Sequence, residues 1–160
     1  MKTIVMLGTA HLLNRASWSD RAAGLQKCLE WLKRKYGPQV VMEEWSEKKK
    51  ESVAKAFAPT LGLPWADVGT PDEPQYWTYT GQINFPGYDG TLPSYDPDAP
   101  AMNEYGPLEN QENRERRMAE NVRAEMEKYE KGLFILGTAH LHSMFGKLQS
   151  LGFKVVAFSW

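Results

Sequence analysis

The sequence predicts an α/β fold, with a mostly parallel sheet of about four strands, helices on both faces and one domain over residues 1–160. Three observations carry this reading. Short apolar or β-branched runs alternate with stretches of helical periodicity. Glycine and proline mark the junctions between them. The hexapeptide Leu-Gly-Thr-Ala-His-Leu follows two of the apolar runs, at 7–12 and again at 136–141.

Lys2 to Leu7 is apolar and β-branched, as a buried parallel strand requires. From about Ser17 to Tyr36, Ala22, Leu25, Leu29 and Leu32 recur at helical spacing, and Gly37-Pro38 stops the helix. Gln39 to Met42 reads as the second strand and ends in Glu43-Glu44-Trp45. Ser46 is a plausible N-cap for a helix to about Phe57, with Lys48 to Lys50 on its solvated face. Residues 59–107 differ, holding nine of the ten prolines together with many aromatic residues. That composition predicts an ordered aromatic, proline-rich insertion acting as lid or pocket wall, with a dimerisation arm or a partly mobile loop as the alternative. Asn110 to Glu130 is helical, with Met118, Val122 and Met126 on one stripe, and Gly132 ends it. Leu133 to Leu136 is the third strand, Leu141 to Leu151 a short helix, and Lys154 to Phe158 the last strand.

Composition narrows the function. Nineteen basic and twenty acidic residues give a net charge of −1, which argues against a nucleic-acid partner held by a broad basic surface. One cysteine, Cys28, permits no internal disulfide and fits a reducing, cytoplasmic location. Cys28 reads as a small core residue. The first apolar run, about six residues, is expected to be too short for a signal-peptide core or a membrane span. The chain is expected as a monomer or homodimer acting on a small-molecule or peptide substrate.

The chemistry is expected at the motifs. A strand running through Gly-Thr into a helix puts each motif at the strand's carboxyl end, where ligands of open α/β sheets bind. The chain has three histidines, and the two motifs would bring His11 and His140 into one crevice. His142 lies two residues on, Asn14 one turn past His11, and Thr9 and Thr138 would line the pocket. Glu43 and Glu44 reach the same edge, on opposite faces of their strand. Two imidazoles and a carboxylate match the ligands of a divalent ion such as zinc, manganese or cobalt, with His11, Glu43 and His140 as the set. The same residues would also serve without metal, a neutral histidine taking a proton from water. Of Arg114, Arg116 and Arg117 at the opening of the later helix, one would hold an anionic group; each also has surface glutamates for partners. Asp67, Asp72 and Glu73 are weaker candidates.

A Gly-x-x-His after the first strand, a Glu ending the second, Arg114 with Met118-Ala119 and a second Gly-x-x-His together resemble the TraB/Tiki group. They also resemble the wider erythromycin esterase-like and ChaN-like superfamily. Small bacterial proteins with Gly-Thr-Ser-His and Glu-Glu-x-Ser motifs are the nearest pattern, the second reading Glu43-Glu44-Trp45-Ser46 here. The resemblance implies a site of His11, Glu43 or Glu44, Arg114 and His140. It implies metal-dependent peptidase chemistry in one branch, ester hydrolysis in another and haem binding in a third. The chain is shorter than those proteins and carries the insertion in place of their extra helices, so their substrates do not transfer. The expectation is a small hydrolase of peptide or ester bonds. The alternatives are a non-catalytic protein that binds haem, a metal or a small anion, and an interaction module using the aromatic insertion. His140→Ala is expected to abolish activity and leave thermal stability nearly unchanged.

Overall fold

A computed structural model describes residues 1–9, 19–45, 51–70 and 108–160. The chain runs β1 (Thr3–Thr9), α1 (Ser19–Tyr36), β2 (Val40–Glu43), α2 (Val53–Phe57), β3 (Trp65–Asp67), α3 (Leu108–Glu125), β4 (Lys131–Gly137), α4 (Leu141–Ser150) and β5 (Lys154–Ser159). The strands form one five-stranded sheet in the order β3-β2-β4-β1-β5, and every pairing is parallel.

The α/β expectation holds, with one strand more than expected. The added strand is β3, which pairs with β2 from Val41–Trp65 to Glu43–Asp67. It falls inside the stretch assigned to the insertion, so the sheet continues past Pro59. Three residues are too few for periodicity to register. Residues 71–107 of the insertion lie outside the described residues, as do 10–18 and 46–50.

Strand alternation divides the core in two. Ile4, Met6, Val40, Met42, Phe134 and Leu136 meet Met118 and Val122 of α3 and Leu141, Met144 and Leu148 of α4. Val5, Leu7, Val41, Leu133 and Ile135 meet Leu25, Cys28, Leu29 and Leu32 of α1 and Val53 and Ala54 of α2. Cys28 is fully buried there, as expected.

The helix ends follow local chemistry. Gly37 closes α1 at φ 62°, a left-handed conformation that favours glycine, with its N–H on the Lys33 carbonyl. α2 starts later than expected, capped by the Ser52 hydroxyl, which accepts from the Lys55 N–H. Gly132 does not terminate α3; a turn at Met126–Lys128 does, and Gly132 lies within β4. Among the described residues no helix is long and apolar enough to cross a membrane.

Leu7-Gly8-Thr9 of the first motif and Leu136-Gly137 of the second sit on neighbouring strands, out of phase. Gly8 pairs with Leu136 and Thr9 with Gly137, so the second copy is shifted by one residue against the first. A one-residue shift reverses the face of every side chain. Leu7 therefore joins the α1/α2 core, and its counterpart Leu136 the α3/α4 core. A Cβ on Gly8 would stand 3.0 Å from Leu141 Cδ2, so glycine there lets the second motif's helix approach β1.

Candidate active site

The site grows from the end of β2. Alternation sends Glu43 toward α1 and α2, and Glu44, one residue on, toward α3 and α4. Both carboxyls are buried, and their surroundings differ.

Glu44 is the centre of a charged cluster. Its Oε2 accepts the backbone N–H of Gly137 at 3.0 Å. Its Oε1 accepts from Arg114 Nη2 at 3.0 Å. Arg114 Nε donates to Thr70 Oγ1 at 3.1 Å, which ties the arginine to the segment after β3. His140 closes the turn at Thr138–His140 between β4 and α4. Its Nε2 lies 3.5 Å from Glu44 Oε1, and its Nδ1 lies 2.9 Å from Glu115 Oε1. Arg114 and Glu115 are consecutive on α3, so the helix turn aims one at Glu44 and the other at His140. The Ser143 hydroxyl donates to Glu115 Oε2. Lys147 Nζ stands 3.5 Å from that same oxygen.

This arrangement sets the proton affinities. Burial opposes charge on His140, which is only 4% exposed. The charge of Glu44 and the hydrogen bond and charge of Glu115 outweigh that burial. Arg114 pulls the other way, and the net effect lifts His140 above the ordinary histidine value. Burial likewise pushes Glu115 up, but the bonds from His140 and Ser143 and the charges of His140 and Lys147 leave it below the usual carboxylate range.

Glu43 is different. Ser52 Oγ donates to its Oε2 at 2.6 Å and Trp65 Nε1 at 2.7 Å. Its Oε1 is buried without a hydrogen-bond partner among the described residues. Burial, reinforced by the charges of Asp67 and Glu44, pushes its carboxyl up to about 7 against those two bonds.

Several expected site residues converge and others do not. Glu44, Arg114 and His140 meet. Thr9 is buried at the end of β1, on the Glu43 side of the sheet, and Thr138 is half-buried at the start of the turn. His142 is exposed on α4, as are Arg116 and Arg117 on α3; Arg116 bonds Asn113. Asp67 secures the turn after β3, accepting N–H groups from Gly69 and Trp45. His11, Asn14, Asp72 and Glu73 lie outside the described residues.

Of the expected divalent-ion set, Glu43 and His140 extend from opposite faces of the sheet, and His11 lies outside the described residues. Among the described residues no three histidine, cysteine or acidic side chains are grouped to hold a metal.

Thr70, Ser143 and Lys147 were not among the expected site residues, and Glu115, expected as a surface partner of the helix arginines, is instead buried against His140 and Ser143. Glu115 carried a readable signal. It stands three residues before Met118 and seven before Val122, so it lies on the apolar stripe of α3. A carboxylate on a core-facing stripe requires a buried partner.

Fold and site together define a parallel-sheet α/β protein with a buried histidine–carboxylate cluster at the carboxyl edge of its strands. No protein-family model, curated protein or solved structure matches this chain.

Proposed function

We propose that the chain is a small hydrolase of ester or peptide bonds that uses His140 as its general base. The observation behind this reading is the placement of one buried imidazole between two buried carboxylates at the strand ends. Glu115 holds the ring through Nδ1, the part an orienting carboxylate plays in histidine-dependent hydrolysis. Nε2 then takes a proton from water, and the water oxygen bonds to the substrate carbonyl carbon. Glu44 stabilises the imidazolium that forms. Arg114, held by Glu44 and Thr70, would supply positive charge to the developing oxyanion. Collapse of the tetrahedral species breaks the carbon–oxygen or carbon–nitrogen bond, and His140 returns the proton to the leaving group. The motif resemblance to esterase-like and peptidase-like groups supports the same reaction class. A cytoplasmic location accords with the lone thiol, whose burial pushes Cys28 up to about 12 and leaves it inert.

The test is release of p-nitrophenolate from p-nitrophenyl acetate, run beside a fluorescence-quenched peptide library. The native chain should turn over one of the two. His140→Gln should lower kcat by about 100-fold or more, as loss of acid–base assistance does. Absence of hydrolysis by the native chain, or equal rates in the variant, would remove the proposal.

A further inference from the structure

The cluster continues past Glu115 to the surface of α4, and the chemistry of that extension has a direction. Lys147 Nζ bonds Glu112 Oε2 at 2.9 Å and Ser143 Oγ at 2.8 Å. Its third close acceptor is Glu115 Oε2, at 3.5 Å. An ammonium has three N–H donors and no lone pair, so Lys147 can only donate. Ser143 accepts from Lys147, and its single hydroxyl hydrogen is directed to Glu115. Glu115 thus receives donors on Oε2 and meets His140 Nδ1 with Oε1 as a further acceptor. For that contact to be a hydrogen bond, Nδ1 must carry the hydrogen. The lone pair of the neutral ring then belongs to Nε2, which faces Glu44.

We propose that Lys147 and Ser143 are positioning residues that act through Glu115 to fix His140 as its Nδ1–H tautomer. Among the described residues, no hydrogen bond or ion pair joins either side chain to His140. Glu115 has a flexible stem, and these two donors from the neighbouring helix select the orientation that presents Oε1 to the ring. Ser143 and Lys147 are four residues apart on α4, so they share one helix face and act as a unit. The catalytic meaning of this arrangement rests on the hydrolase reading; the tautomer does not.

The experiment is two-bond 1H–15N correlation of the histidine rings in the 15N-labelled full chain, at a pH where His140 is neutral. Comparison with His140→Asn assigns the signals. The native chain should show Nδ1–H over Nε2–H by roughly tenfold or more, the scale of one charge-assisted hydrogen bond. Ser143→Ala and Lys147→Met should each reduce that ratio by about threefold to tenfold. Both should lower kcat with KM unchanged, and Lys147→Arg should restore the native tautomer. An Nε2–H ring in the native chain would overturn the inference. So would variants that lose thermal stability and keep the native ratio, because Ser143 and Lys147 would then only fasten α4 to α3. A chain that hydrolyses nothing yet shows the Nδ1–H ring and its loss in the variants sustains this inference and removes the hydrolase reading. An active chain with an unchanged ratio does the reverse.

Discussion

Replacing Glu43 with glutamine isolates the cost of a buried carboxyl that has only one of its oxygens satisfied. In the native chain Ser52 and Trp65 both donate to Oε2, and Oε1 has no partner among the described residues. Burial moves the carboxyl from 4.5 up to about 7. The folded chain therefore holds a proton that the unfolded chain has already released. Below pH 4.5 both states are protonated, and Glu43 adds no pH dependence. As pH rises from there toward 7, only the unfolded state ionises, and stability falls. Above 7 both are ionised and the loss levels off at about 3 kcal/mol. A glutamine keeps a carbonyl to accept from Ser52 and Trp65 and never ionises. Urea unfolding of both chains from pH 4 to pH 8.5 reads the difference directly, since titrations elsewhere are common to both and cancel. The glutamine variant should match the native chain within about 0.5 kcal/mol at pH 4. By pH 8 it should exceed it by about 2–3 kcal/mol. Parallel stability profiles across that range would refute the account of Glu43 as a neutral buried acid.

The other predictions concern the charged cluster and the core. His140→Ala should remove hydrolysis and also destabilise the fold by about 3 kcal/mol in urea unfolding, because it leaves two buried carboxylates facing a void. The expectation of unchanged stability does not survive the burial of that ring. Arg114→Met should cost about 3 kcal/mol by uncovering Glu44. Arg114→Lys should recover little of this, since one ammonium cannot reproduce the planar fork that bridges Thr70 and Glu44. Gly132→Ala should lower stability by about 1–3 kcal/mol, because its Cβ would stand 2.6 Å from both Met126 Sδ and Met42 Cε.

Much of the fold was legible because its signals are local. The β-branched runs, the α1 stripe and the glycine stop at 37 each declare themselves within a few residues. β3 was not legible, because its three residues become a strand only by pairing with β2. The adjacency of β1 and β4 sets Leu7-Gly8-Thr9 of the first motif beside Leu136-Gly137 of the second. Their one-residue offset is a property of register, which no single copy encodes, and it turns equivalent side chains to opposite faces. The same alternation separates Glu43 from Glu44. The sequence placed both at the strand end but left open which faces His140; the hydrogen bonds to Gly137 and Arg114 identify Glu44. Lys147 and Ser143 stayed hidden because their role depends on α4 crossing α3.

The pH dependence of kcat/KM, compared with the titration of His140 followed by NMR, tests general-base catalysis by that ring most directly. Glu44 and Glu115 lift His140 above 6.5, and a base must be neutral to accept a proton. Activity should therefore rise with pH through a midpoint that coincides with the ring's own, above 6.5. A rate that stays flat while His140 loses its proton would contradict the account.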